Sequence, residues 1–181
     1  MNLSKSKYCK GIQCPKMLWM DVHKPELFDE SVMNQAILDA GNAVGDVAMG
    51  YYGDFVEVPF DRENMPGMIE RTRELLAADT PAICEAAFSY EGNLCLADIL
   101  RKDAEGYHLI EVKSSTAYKD IYLDDIAYQY YILTNSGIPL ESASLMHVNS
   151  GYVRQGDLDI QQLFVVEDYT EEVLARQVGL E

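Results

Sequence analysis

Asp98, Glu111 and Lys113 fall within the stretch LCLADILRKDAEGYHLIEVKS, residues 94–114, and are the residue types that metal-assisted hydrolysis of a phosphodiester uses. Two carboxylates can hold a hard divalent cation such as magnesium, with substrate phosphate oxygens completing its shell. The spacing matters as much as the types. Lys102 to Gly106 reads as a turn between two apolar runs, and the midpoint of positions 98 and 111 falls inside it. An antiparallel hairpin folded there brings Asp98 close to opposite Glu111, and strand alternation puts Lys113 on the face of Glu111. The same row carries Leu94, Leu96, Leu100 and Leu109, where unpaired acids are costly and a bound cation offsets the cost. The plainer alternative is an ordinary hairpin whose charges reach solvent or pair with one another.

The flanking sequence supplies elements that could position this hairpin. Ser4 can cap a short helix carrying Tyr8 and Ile12, and Pro15 marks a break before Met17, Leu18 and Trp19. A longer helix is predicted from Ser31 to Gly50, since Val32, Ala36, Ala40, Val44, Val47 and Tyr51 recur at helical spacing. Phe55 to Phe60 alternates like a strand, and Asn64 to Ala78 reads as helix. Ala82 to Tyr90 and Leu94 to Leu100 are strands joined by Glu91-Gly92-Asn93, and Tyr107 to Val112 is the third strand of the meander. A helix from Asp120 to Asn135 closes at Ser136-Gly137-Ile138-Pro139. Ser142 to Val148 is a strand, Asn149-Ser150-Gly151 a turn, Leu163 to Val166 a last strand and Thr170 to Val178 a last helix. This order predicts an α/β fold whose mixed sheet is covered on both faces.

At 181 residues and 48% hydrophobic content, the chain can bury a sizeable core as a single domain over 1–181. The ending Gly179-Leu180-Glu181 could be a cloning scar, in which case this domain is the N-terminal part of a longer protein. No apolar run is long enough to span a bilayer and no signal segment follows the lysine-bearing start, so a cytoplasmic location and no membrane partner are expected. Cys9, Cys14, Cys84 and Cys95 are too scattered for a disulfide scaffold. The net charge of -16 argues against general electrostatic coating of nucleic acid, although Lys5, Lys7, Lys10, Lys16 and Lys24 concentrate positive charge near the start. No glycine-rich phosphate loop of the usual spelling is present, which disfavours a nucleotide-driven enzyme.

The segments LSKSKYCKGIQCPKMLWM, ICEAAFSYEGNLCLADIL, HLIEVKSST and DIAYQYYIL follow one another along the chain. In this order the sequence resembles the RecB-like branch of the PD-(D/E)xK nucleases, including relatives of the iron-sulfur CRISPR-associated exonucleases. The resemblance covers most of the chain. It implies a restriction-endonuclease-like mixed central sheet flanked by helices, and magnesium- or manganese-dependent hydrolysis of DNA, single- or double-stranded. On that footing Asp98 and Glu111 are metal ligands, the backbone carbonyl of Val112 can complete the shell, and Glu85 can reach the ion directly or through water. Lys113 positions or helps activate the attacking water, and Gln129 is the glutamine of the helix motif after the hairpin. Cys14 resembles the first cysteine of an iron-sulfur cluster, which would form only if a C-terminal cysteine group lay beyond this chain.

The departures from that pattern are informative. Ala97 stands where the superfamily name has proline, and Leu133 where a tyrosine is expected four residues after the glutamine, with Tyr128 and Tyr130 adjoining Gln129. Many relatives carry a ligand histidine in the first long helix, at a place where this chain offers Gly45. His23, His108 and His147 lie elsewhere and are expected to be structural. A catalytically degenerate nuclease-fold module that binds nucleic acid or a protein partner is therefore the alternative. A small-molecule or purely structural domain is a third reading, separated from the others by whether Asp98, Glu111 and Lys113 converge.

Overall fold

The computed structural model describes residues 3–28 and 35–180. Alternating and continuous apolar runs form a mixed sheet of seven strands among the described residues. β1 is Leu3–Ser4, β2 Val56–Glu57, β3 Ala82–Tyr90, β4 Asn93–Lys102, β5 Tyr107–Lys113, β6 Leu140–Val148 and β7 Phe164–Asp168. The order across the sheet is β2-β3-β4-β5-β6-β7, with β1 attached to β4. β3, β4 and β5 are an antiparallel meander, β6 runs parallel to β5, and β7 returns antiparallel to β6. Glu91 and Gly92 both have positive φ, the backbone that a two-residue hairpin loop between twisted strands demands.

The helices are α1 (Lys5–Gln13), α2 (Pro15–His23), α3 (Gln35–Met49), α4 (Met65–Ala77), α5 (Asp120–Asn135), α6 (Ile160–Leu163) and α7 (Thr170–Arg176). α5 packs against α1, α7 and the sheet, burying Leu123, Ile126, Ala127, Ile132 and Leu133 together with Ile83, Leu100 and Leu109. Full burial of side chains such as Ile126 and Leu133 contributes roughly 1.5–3 kcal/mol each. A smaller cluster joins Ala48 and Met49 of α3 to Cys84, Ile99, Ile110, Met146 and Phe164. No described helix is long and apolar enough to cross a membrane.

One irregularity of the sheet opens a gap between two of its central strands. β4 pairs with β5 only as far as Ile99 opposite Ile110, while β4 continues beside β3 to Asn93 and β5 continues beside β6 to Lys113. The two strands therefore fork. β1 enters on the edge of β4 that β5 has left, pairing Leu3 with Asn93 and Ser4 with Leu94. Ser4 then caps α1 by accepting a hydrogen bond from the Lys7 N–H, which fixes Lys5 as the first helical residue inside the fork. Tyr128 donates its hydroxyl hydrogen to the Leu3 carbonyl and stacks on Tyr8 at 4.6 Å, so α5 holds this entry in place.

Several elements differ from the sequence reading for physical reasons. Pro15 does mark a break, at the extended Cys14, and it opens α2 at its first turn, where its missing N–H costs nothing. The strand predicted over Phe55–Phe60 shrinks to Val56–Glu57, because Pro59 offers no donor to extend the ladder and Phe60 is exposed. Of the helix predicted from Ser31, residues 31–34 lie outside the described residues, and α3 begins at Gln35. Leu163 ends α6 and β7 starts at Phe164.

At the other edge, α4 is stitched to β3 by Thr72, whose hydroxyl donates to the Met68 carbonyl and accepts the Ala87 N–H at 2.9 Å. Thr72→Val keeps the shape but leaves a buried N–H without its acceptor. It should lower the unfolding free energy by about 1–3 kcal/mol in urea denaturation.

Candidate active site

Glu111 is the centre of the fork and is 1% exposed. Its carboxylate accepts four hydrogen bonds from three donors: both oxygens from the Lys5 ammonium at 3.1 Å, Oε1 also from Lys113, and Oε2 also from the Gln129 amide at 2.6 Å. Asp98 sits across the fork, where its Oδ2 accepts the Val112 N–H at 2.7 Å and replaces a ladder bond that the diverging strands cannot make. Its other oxygen lies 3.6 Å from the Lys5 ammonium, so one positive group already bridges Asp98 and Glu111.

α5 contributes the floor. Gln129 is fully buried and donates to Glu111 and, at 3.0 Å, to Asp125 one turn before it. Its amide oxygen has no hydrogen-bond partner among the described residues. Asp125 in turn accepts from Lys113 at 2.7 Å, and the Tyr122 ring lies 5.4 Å from the same ammonium. α3 forms the facing wall: Gly41, Gly45 and Asp46 line a cleft of about 580 Å³ shared with Glu85, Asp98, Glu111 and Lys113. Beyond its chain neighbours and the nearby backbone of α3, a Cβ added at Gly45 would meet no atom of the described residues within 4 Å.

Glu85 carries the one backbone distortion within a strand at this site. The β3–β4 ladder pairs Cys84 with Ile99 and Ala86 with Ala97 but skips the intervening Glu85–Asp98 pair, and Glu85 has φ of 55°. A non-glycine residue in this region costs roughly 1–3 kcal/mol and persists where the surroundings over-determine it. Here the distortion borders the cleft, directly across the sheet from Asp98.

Negative charge exceeds positive charge in this pocket, and the carboxyls respond differently according to their partners. Burial alone would raise Glu111, but Lys113 and Lys5 outweigh it and hold the carboxyl well below its usual range. Burial and then the Glu111 charge push Asp98 up to about 7, against the pull of Lys5 and Lys113. Asp125 is raised by burial and Glu111, and Glu85 chiefly by burial with the charges of Glu111, Glu57 and Asp46 adding to it. Burial opposes the charged form of Lys113, yet Glu111 and Asp125 keep it an ammonium above its ordinary value of 10.5.

A pH dependence of stability follows from these directions. An acid whose pKa is raised by folding binds more protons folded than unfolded between the two values, so stability falls as pH rises through that window. For Asp98 the window runs from its ordinary 3.8 to about 7. Each tenfold change in proton affinity is worth about 1.4 kcal/mol, so Asp98 should cost on the order of 2–3 kcal/mol across the window after partial screening by water. Urea unfolding of chelator-treated protein should show lower stability at pH 8 than at pH 5, and Asp98→Asn should remove much of the difference.

The predicted residues are distributed as follows. Asp98, Glu111, Lys113 and Gln129 converge, and Glu85 and Val112 border the same cleft. Cys14 is exposed between α1 and α2. Cys84 lies in the smaller buried cluster and Cys95 in the larger. His108 is held between Asp103 and Ser142, and His147, the ladder partner of Lys113, approaches Glu167. Lys5 and Asp125 were not foreseen as members of the site. Asp125 had a signal, since it precedes Gln129 by one helical turn. Lys5 had none, because its place depends on the two-residue pairing of β1 with β4. Among the described residues, no group of three or more His, Cys, Asp or Glu side chains is arranged to hold a metal ion. In comparisons with known proteins, no family model matches the chain and no curated protein matches it.

Proposed function

We propose that this chain is a metal-dependent deoxyribonuclease of the RecB-like PD-(D/E)xK kind, acting on DNA phosphodiester bonds in the cytoplasm through Asp98, Glu111 and Lys113. The observation that carries the reading is the bridging of Asp98 and Glu111 by a single positive group, with Lys113 and Gln129 both bonded to Glu111. The donor chemistry fits a hard cation. Among the described residues the positive groups facing Glu85, Asp98, Glu111 and Asp125 are the ammoniums of Lys5 and Lys113, and the carboxyls of Glu85, Asp98 and Asp125 are all pushed upward. Magnesium and manganese need few protein ligands, because waters and substrate oxygens fill the rest of the shell. Asp98, Glu111 and the Val112 carbonyl would hold the ion, with Glu85 in reserve.

Such an ion, when bound, lowers the pKa of a water and neutralises charge on the phosphate. The protein's own groups supply the rest. Lys113 remains an ammonium and so acts as a fixed positive charge toward a phosphate oxygen, not as a base. Gln129 and Asp125 orient Glu111 and Lys113 from below. Lys7, Lys16 and Lys24 on and beside α1 and α2 offer the local positive charge that an acidic exterior otherwise denies to DNA.

The test is cleavage of end-labelled single- and double-stranded DNA with manganese or magnesium, compared with zinc. Metal-dependent cleavage is expected in wild type, and Asp98→Asn should weaken manganese binding and cleavage together. The alternative, a degenerate nuclease-fold module, is favoured by the occupation of the Asp98–Glu111 bridge by Lys5 and by glycine at position 45. Binding of DNA without cleavage under every metal would establish that alternative in place of the enzyme.

A further inference from the structure

The reading above gives Lys5 no part in the reaction itself, yet its ammonium stands where a cation shared by the two carboxylates would stand. It lies 3.1 Å from each oxygen of Glu111, 3.6 Å from Asp98 Oδ1 and 3.8 Å from Asp125 Oδ1. We infer that Lys5 is a resident counter-ion of this site, and that a divalent cation binds by displacing its ammonium from the Asp98–Glu111 pair. The inference rests on the proposed metal-dependent reading and extends it to how the site is filled and emptied.

The acceptor count on Glu111 carries the argument. A carboxylate has about four lone-pair positions, and those of Glu111 are engaged by Lys5 twice, Lys113 once and Gln129 once. A metal can reach Glu111 only if one of these donors leaves. Gln129 is fully buried on α5, and Lys113 has a second strong bond to Asp125 at 2.7 Å. Lys5 has neither constraint, because its approaches to Asp98 and Asp125 are longer than hydrogen bonds and its side chain is 24% exposed. Its backbone need not move: Ser4 is paired with Leu94, and the Leu3 carbonyl is held by Tyr128. Displacement is therefore a swing of one four-carbon side chain into the cleft it already lines. An ammonium and a divalent ion cannot share one carboxylate bridge, since like charges at such separations repel strongly in a poorly solvated site.

The experiment is isothermal titration of chelator-treated wild type, Lys5→Gln and Lys5→Arg with manganese at one pH, with circular dichroism of each variant as the folding control. Lys5→Gln should bind manganese ~10-fold or more tightly than wild type, because no charge has to be expelled. Lys5→Arg, which keeps the charge, should stay near wild type. A second measurement uses the unaltered protein: the Lys5 ammonium protons, protected while bonded to Glu111, should exchange rapidly in nitrogen-15 NMR once magnesium saturates the site. Binding by Lys5→Gln with none by wild type would also support the inference. Equal, finite affinities for wild type and Lys5→Gln, or a Lys5 ammonium that remains protected at saturating magnesium, would overturn it and leave the metal reading standing. No binding by any of the three proteins would overturn both.

Discussion

Glu111→Leu should lower the unfolding free energy by about 3 kcal/mol or more, a large fraction of the 5–15 kcal/mol that usually separates folded from unfolded domains. The reason is not the loss of Glu111 itself, since an isolated carboxylate at 1% exposure would be unfavourable. The substitution strips a partner from three donors at once, namely Lys5, Lys113 and the Gln129 amide. Asp98 and Asp125 remain as partners, but Lys5 approaches them only at 3.6 and 3.8 Å. Glu111→Gln retains an acceptor oxygen at nearly the same volume and should lose about half as much, while still removing the charge that a cation needs. Urea denaturation of the two variants separates these contributions. A Glu111→Leu protein as stable as wild type would mean that the cluster does not hold the fork together.

The fork also marks the division between what could be read from residues and what could not. The meander was legible because a hairpin is a local object: its turn residues, its alternation and the symmetric placement of positions 98 and 111 about the turn all lie within one stretch. α5 was legible for a similar reason, since Asp120 at its start and Ser136-Gly137-Ile138-Pro139 at its close are local signals. Gln129 came from the resemblance of DIAYQYYIL to the helix motif that follows the hairpin. Lys5 depended instead on strand pairing between Ser4 and Leu94, a long-range contact two residues long that leaves no periodic trace. The positive φ of Glu85 was equally invisible, because nothing in the spelling ICEAAFSY distinguishes a skipped ladder pair from a regular one. The truncation of β2 had a signal in Pro59, which cannot donate to a ladder. The general acidity of the chain is a poor guide to the site, where the decisive charges are a few buried groups and not the exterior.

Lys113→Ala should reduce DNA cleavage by ~10²–10³-fold while leaving the protein folded, and the pH dependence will say why. A lysine near its ordinary pKa could serve as a base once deprotonated, and its ionisation would then appear as a rising limb at alkaline pH. Lys113 is arranged against that role. Burial alone would favour the neutral amine, but Glu111 and Asp125 more than compensate and hold the ammonium above 10.5. On the proposed reading its contribution to catalysis is a positive charge held between Asp125 and Glu111, a stabiliser of charge that grows on the phosphate as the bond breaks. Lys113→Arg should accordingly recover part of the lost rate, because it restores charge if not geometry. Folding should survive Lys113→Ala because Lys5 and Gln129 still satisfy Glu111. The measurement is the manganese-dependent cleavage rate of wild type and both variants from pH 6 to 10. A Lys113→Ala rate within threefold of wild type would remove Lys113 from the chemistry. A limb near pH 9 present in wild type and absent from Lys113→Arg would instead make it a base.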